Sequence, residues 1–248
     1  MPTVRELTAL YENFMLTPVA GADVCDVCFN LTAGYQRCYA CAHGNQVLDA
    51  FTPISYSVGG EQLHHALASY KRLTGDVARR MAAELAAVLW RFLAGHEACL
   101  ARIAEVGRFE LVTTVPSGDR QRDERHPLRW IVGQLVGPTR ERYERLLRRS
   151  EADVEPRAFD AAKFTPLREL SGETVLLLDD TWTTGASAQS AAATLKRVGA
   201  AQVAAVVIGR HVNRNWHEND RRLGELPTFD WRRCALCAGL SPPAPAPR

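Results

Sequence analysis

Residues 174–190, T-V-L-L-L-D-D-T-W-T-T-G-A-S-A-Q-S, constrain this chain more than any other stretch. Val175 to Leu178 are all apolar, which in an α/β protein predicts a parallel strand covered on both faces. Two carboxylates follow, Asp179 and Asp180, and then Thr181-Trp182-Thr183-Thr184-Gly185. Ala186 to Val198 is Ala-rich and predicts a helix with Gly199 as its stop. A strand, a polar turn and a helix in this order place a ligand at the carboxyl end of the strand. Backbone N–H groups at the turn and helix start can hold a phosphate. Gly185 lets the backbone approach closely, and the Thr hydroxyls add donors. Two carboxylates beside such a cradle suit vicinal sugar hydroxyls or a hydrated Mg²⁺.

The surrounding pattern is also α/β. Ala201 to Ile208 predicts a second buried strand, completing a right-handed βαβ unit. Phe109 to Val115 predicts a core strand that runs into Pro116-Ser117-Gly118-Asp119 and a charged loop to His126. Pro127 suits the first residue of a helix over Leu128–Leu135. Phe51 to Val58 predicts a strand that Pro53 pushes to a sheet edge. Glu61 to Leu73 predicts a helix carrying Tyr70-Lys71-Arg72; its adjacent His64 and His65 point to different sides and make a poor metal site. Asp76 is expected to cap a long helix to about Gly95, and a continuation to Val106 stays open. Val4–Leu16 and His217–Leu223 have the look of short helices. The run R-E-R-Y-E-R-L-L-R-R from Arg140 reads as a solvated face with i, i+4 pairs. Ser150 to Thr165 shows no period.

Six of the seven cysteines stand in C-x-x-C pairs, which favours metal over disulfides. Cys25, Cys28, Cys38 and Cys41, nine residues between the two pairs, can surround one Zn²⁺ tetrahedrally. Four sulfur ligands leave no open position, so such a zinc is structural. The third pair, Cys234 and Cys237, either joins that site or stands alone; Cys99, in a helical pattern, reads as a core residue. At 248 residues, 46% apolar and 23% charged, the chain fits one globular domain with a small appendage. We divide it into a helix and zinc-knuckle element over 1–50, a main domain over 51–240 and a Pro-rich, disordered tail over 241–248. A net charge of +2 gives no support to nucleic acid as partner, though it leaves it open. No signal-peptide pattern and no membrane-length apolar run is visible, so the cytoplasm is the expected location and no membrane partner is expected.

The run from Val175 to Ser187 resembles the phosphoribosyl pyrophosphate (PRPP) motif of type I phosphoribosyltransferases: apolar strand, two acids, two further residues, then Thr-Thr-Gly. It departs at Thr181 and Trp182, where the family usually carries aliphatic residues. Val115 to Gly118 resembles the pyrophosphate loop of the amidophosphoribosyltransferase-like branch. The order of knuckles, Tyr-Lys helix, Val-Pro loop, irregular segment and PRPP motif is similar to the ComF-like group, named for the competence protein of DNA uptake. The charged loop lacks the Arg-Gly-Phe-Asn-Gln run of ComF itself.

The resemblance implies a parallel-sheet phosphoribosyltransferase fold with an N-terminal zinc element. It implies an enzyme that displaces pyrophosphate from PRPP with Mg²⁺, passing the phosphoribosyl group to a nucleobase or amine acceptor that the motif does not name. Asp179 and Asp180 would hold the ribose hydroxyls, directly or through Mg²⁺-bound water. Thr181, Thr183, Thr184, Gly185, Ala186 and Ser187 would hold the 5-phosphate, and Ser117 and Gly118 the pyrophosphate. Lys71, Arg157 or Lys163 would offset charge on the leaving group. Residues 150–165 would form a mobile lid, with Lys163 acting in catalysis. Two other readings stand beside this one: a non-catalytic PRPP-binding regulator, and a DNA-uptake accessory protein that binds nucleic acid through its zinc element and Arg run. Oligomerisation stays open.

Overall fold

The computed structural model describes residues 2–118, 123–155 and 157–237. The expected tail over 241–248, residues 119–122 of the charged loop and Pro156 lie outside the described residues.

The core is a four-stranded parallel sheet. Its strands are β1 (Ala50–Val58), β2 (Leu111–Thr114), β5 (Val175–Trp182) and β6 (Val203–Val212), in spatial order β1-β6-β5-β2. A separate antiparallel pair joins β3 (Leu147–Arg149) to β4 (Phe164–Pro166). Val175 to Leu178 are fully buried in the inner strand β5. Alternation along the strands sorts the core into two layers. Val175, Leu177, Val203, Ala205 and Val207 face one layer, and Leu176, Leu178, Ala204, Val206 and Ile208 the other. β1 is an edge strand, where Pro53, opposite Val207, has no N–H to lose from the ladder.

Helices cover both faces. On the first lie α7 (Ala186–Arg197), through Ala188, Ala191, Ala192 and Leu195, and the cysteine-rich element with its short helix α2 (Tyr39–His43). On the second lie α3 (Gln62–Ser69) and α4 (Gly75–Ile103), with the one-turn helix α5 (Pro127–Trp130) and the π-turn Ile131–Leu135. Asp49 couples the linker to the sheet by accepting from Lys196 Nζ and from the Val203 amide, each at 2.7 Å.

Several elements differ from the sequence expectation. α4 takes the continuation past Gly95 that the sequence leaves open and ends at Ile103; its apolar stripe of Leu85, Leu89, Phe92, Leu93 and Leu100 runs on past the glycine, and that burial outweighs the cost of about 1 kcal/mol for one helical glycine. Its N-cap is Thr74, while Asp76 pairs with Arg79. The expected N-terminal helix is split into α1 (Val4–Thr8), with a Thr3–Glu6 capping box, and a 3₁₀ turn at Tyr11–Asn13. Arg140 to Arg149 is not a helical solvated face. It leaves the one-turn helix α6 (Gly137–Arg140) and ends in β3. Arg142 is tied into the structure by Glu97, in a bidentate pair at 2.7 and 2.9 Å, and by the carbonyls of Phe109 and Pro138. The last helix, α8, spans Asn219–Glu225.

The turn from α7 into β6 depends on Gly199, which sits at φ +104° with its α-carbon against the Leu170 carbonyl. A methyl group there meets both a strained backbone and a backbone oxygen. Gly199→Ala is expected to lower unfolding free energy by about 2 kcal/mol. A denaturant midpoint equal to wild type would contradict this packing.

Candidate functional site

The site lies at the carboxyl end of β5, where the sheet hands the chain to α7. The strand ends in Asp179–Trp182, and the loop Thr183–Gly185 turns into a helix of 12 residues. Gly185 is the N-cap with φ 85°, a left-handed conformation that glycine adopts without strain. Glycine is required for a second reason. The Trp182 ring lies where a Cβ would go, and the indole itself packs on Phe51 at a centroid distance of 4.0 Å. Where the motif departs from aliphatic residues, Trp182 is thus a buried prop under the loop.

A concavity of about 90 Å³ opens above this turn, lined by Asp179, Thr181, Thr183, Thr184, Ser187 and Arg157. Gly185 and Ala186 supply its backbone floor. The first N–H groups of α7 have no partner within the helix and carry its positive dipole end. With Arg157 on the rim, this end of the pocket suits an anion; with Asp179 on the other, it suits a cation or hydroxyl groups. A second hollow of about 280 Å³ shares Arg157, Thr184 and Ala186 and extends to Tyr39 and His43 of the cysteine-rich element.

The two acids are not equivalent. Asp180 is 2% exposed and its carboxylate accepts from Tyr70 Oη at 2.5 Å and pairs with Lys71. Asp179 reaches the pocket, and its Oδ1 accepts from the Asp180 amide at 2.8 Å. Burial, followed by the negative charge of Asp180, pushes the Asp179 carboxyl up to about 8, with Lys71 opposing. Burial and the adjacent carboxylate push the Tyr70 hydroxyl well above its ordinary value, so it stays a donor to Asp180.

The other expected residues are distributed. Lys71 stands beside Asp180 and Arg157 at the pocket. The Ser117 amide donates to Asp123 Oδ1 at 3.1 Å, and the Gly118 carbonyl accepts from Arg149 Nε at 3.3 Å. Both thus sit on a network in which the buried Asp123 also pairs with Arg145 at 3.0 Å. Lys163 is only 4% exposed; its Nζ donates to the Ala158 carbonyl at 2.7 Å and it does not line the pocket. The segment holding it is docked on α7, with the Asp160 amide on Ser190 Oγ and Thr194 Oγ1 on the Ala161 carbonyl, each at 3.0 Å. Part of the expected lid is therefore a 3₁₀ turn over Ala161–Lys163 and the strand β4.

Two residues were not singled out by the sequence. Tyr70 stands there as part of the Tyr70-Lys71-Arg72 triplet, yet just past the end of α3 its ring is buried while its hydroxyl meets Asp180. His126 is buried, and its Nδ1 has no hydrogen-bond partner among the described residues. Burial lowers its basicity, and the charges of Asp180 and Lys71 act on it in opposite directions.

Cys25, Cys28, Cys38 and Cys41 are all buried, and their sulfur atoms lie within 4.8 Å of one another. The Cys28 and Cys38 sulfurs are 3.6 Å apart. Bonds of about 2.3 Å to a tetrahedral zinc put sulfurs about 3.8 Å apart, so the cluster is compatible with a structural Zn²⁺. Arg210 gives an independent reason. It is 3% exposed, and no carboxylate pairs with it among the described residues. Its Nη2 approaches Cys28 Sγ at 3.4 Å, and its other donors go to the carbonyls of Cys28, Trp182 and His211. A buried guanidinium needs a counter-charge, which zinc with four thiolates supplies as a net double negative charge.

No protein-family model matches this chain, and no curated protein matches its sequence. Among the described residues no helix is long and apolar enough to cross a membrane.

The geometry separates the two cations. Arg157→Ala is expected to weaken binding of ribose 5-phosphate about tenfold, the worth of one charge-assisted hydrogen bond. Lys163→Met is expected to leave it within about twofold, since the ammonium is spent on Ala158. Titration calorimetry that shows the opposite order would overturn this assignment.

Proposed function

We propose that the chain is a phosphoribosyltransferase-like enzyme of the type I fold and ComF-like group, binding PRPP at the β5–α7 turn. The observation that carries this reading is the pocket itself. A helix N-terminus, the hydroxyls of Thr183, Thr184 and Ser187 and the Arg157 guanidinium form one end, and the pocket-facing Asp179 the other, at the end of an inner parallel strand. A sugar phosphate has that polarity. Its 5-phosphate would take the amides and hydroxyls of Thr183–Ser187, and its ribose hydroxyls would donate to Asp179. Asp180 would act as a positioning residue, holding Tyr70 and Lys71 behind the pocket-facing Asp179 rather than touching the ribose. Lys71 would stand near the leaving pyrophosphate, the role that Lys163 cannot fill from its buried position.

In the reaction, the lone pair of a nucleobase or amine nitrogen forms a bond to C1 of PRPP. The C1–O bond breaks, its electron pair leaves with pyrophosphate, and the proton on the attacking nitrogen passes to solvent. Mg²⁺, carried by PRPP, would supply charge neutralisation on the departing oxygens, with Asp179, its raised carboxyl giving up a proton to solvent as the cation arrives, as the ligand this chain presents to it. What the protein contributes is orientation and an anion cradle fixed before the reaction begins. The hollow toward Tyr39 and His43 adjoins the cradle and is the space in which an acceptor fits.

The four-cysteine cluster would hold a structural Zn²⁺, and Arg210 would tie it to the carbonyl of Trp182 at the base of the loop. Arg210→Met is expected to lower zinc affinity at this cluster by tenfold or more, the usual scale for losing a partner just outside the ligand shell, roughly 10–100-fold. Competition with a chromogenic chelator measures it, and an unchanged affinity would contradict the coupling.

The functional test has two arms. Asp179→Asn is expected to reduce calorimetric PRPP binding in Mg²⁺ by about tenfold or more while the circular dichroism spectrum stays unchanged. Wild type is expected to release pyrophosphate from PRPP in the presence of one member of a panel of nucleobases and amines. Tight PRPP binding without release from any acceptor would replace the enzyme by a PRPP-binding regulator. No PRPP binding at all would overturn the reading.

A further inference from the structure

We infer that His96, Cys99, Cys234 and Cys237 form a second zinc site, of Cys₃His type, which fastens the C-terminal segment to α4. These four residues come from a helix and from a turn 135 or more positions later, and their ligand atoms all lie within 4.8 Å of one another. Cys234 Sγ is 3.4 Å from Cys237 Sγ, and His96 Nδ1 is 3.7 Å from Cys237 Sγ and 3.8 Å from Cys99 Sγ. A tetrahedral zinc with bonds of about 2.3 Å to sulfur and 2.05 Å to nitrogen has edges of about 3.8 and 3.6 Å, so these separations are those of a ligand shell.

The orientation of His96 is the second reason. Its Nε2 lies 2.9 Å from the Trp231 carbonyl oxygen. A carbonyl can only accept, so Nε2 carries the proton and Nδ1 is left with a lone pair directed at the sulfurs. An outer partner that fixes the tautomer in this way is the usual companion of a metal-bound histidine. The turn is also built for metal. The Cys237 amide donates to the Cys234 carbonyl at 3.1 Å, as the Cys41 amide donates to the Cys38 carbonyl at 3.0 Å in the N-terminal cluster. The Cys234 amide points at Cys237 Sγ at 3.1 Å, where it stabilises a thiolate.

This site is separate from the first. The N-terminal cluster packs in the layer of α7, whereas Cys234 packs in the layer of α4, across the sheet. The third C-x-x-C therefore does not join the knuckles, and Cys99 is a ligand candidate rather than an ordinary core residue. His96 and Cys99 are three apart on one face of α4, the spacing at which two helical side chains reach the same point. Three soft thiolates and one imidazole suit zinc.

Further contacts of the C-terminal segment run to the N-terminal segment and to α4. Thr228 bridges to Leu16, the Asp230 amide donates to the Thr17 hydroxyl at 3.1 Å, and Trp231 donates to Glu12 and lies under Arg91. Leu16, Thr17 and Glu12 belong to the N-terminal segment and Arg91 to α4, so the metal would reinforce the fastening of both chain ends to α4.

Zinc counting on the full-length protein, purified under reducing conditions, tests this. Wild type is expected to hold about two zinc ions per chain and Cys234→Ser/Cys237→Ser about one. X-ray absorption on wild type is expected to average about 3.5 sulfurs and 0.5 nitrogens per zinc, from seven and one shared between two ions. His96→Cys is expected to keep both ions and raise the average to about four sulfurs, a readout that does not depend on the double variant folding. One zinc in wild type, retained in Cys234→Ser/Cys237→Ser with four sulfurs, would overturn the second site. A Cys234–Cys237 disulfide in the reduced preparation would do the same. One zinc that is lost in that variant would keep this site and remove zinc from the N-terminal cluster instead.

Discussion

Arg210 carries a buried positive charge that the rest of the structure must answer. It leaves the end of β6, a strand flanked by β1 and β5, and its guanidinium meets no carboxylate among the described residues. Leaving such a charge unmatched is expensive, so the fold brings three carbonyls and a cysteine sulfur to it. Two of those acceptors belong to Cys28 and one to Trp182. One side chain thus joins the cysteine-rich element to the loop that the proposed function depends on. In the zinc-bound form proposed for that element, the thiolates supply the missing negative charge. The small element is then part of the site's foundation rather than a detachable appendage.

The loop inherits its rigidity from both directions. From below, Trp182 fills the space over Gly185 and stacks on Phe51. From the side, Gln189 of α7 accepts from the amides of Val47 and Leu48, at 2.7 and 3.0 Å, so the helix start and the end of the cysteine-rich element move together. A preformed cradle of this kind loses little ordering entropy when an anion arrives. The adjacent acids divide their work because alternate strand residues face opposite ways. Asp180 turns to Tyr70 and Lys71 on the α3 side, and Asp179 turns to the pocket.

Much of this was legible in the sequence. The apolar run Val175–Leu178 gave away an inner strand because nothing but burial on both faces explains four consecutive large aliphatic residues there. The four N-terminal cysteines were legible from spacing, since their contacts are local. What sequence alone could not supply were contacts between distant segments. Tyr70 to Asp180 spans 110 positions, and nothing in either local pattern points to the other. Cys99 reads as a core residue of a helical pattern, and His96 draws no notice, because half of their cluster lies at Cys234 and Cys237. Lys163 looked like a free cation in an aperiodic stretch, because a 3₁₀ turn and a three-residue strand are too short to leave a periodic signal. The Arg run from Arg140 misled for a related reason: its i, i+4 spacing suits a helix, but Gly137 and Pro138 start only one turn, and Arg142 is drawn inward by Glu97.

In the proposed function, the turn from β5 into α7 is an anion site for a sugar phosphate. Amide chemical-shift mapping of the zinc-loaded protein, titrated with PRPP in Mg²⁺, tests it residue by residue. The largest and saturable shifts are expected at the amides of Thr183, Thr184, Gly185, Ala186 and Ser187, with smaller ones at Asp179 and Arg157. Saturable shifts confined to other parts of the chain, with these five amides unmoved, would contradict it.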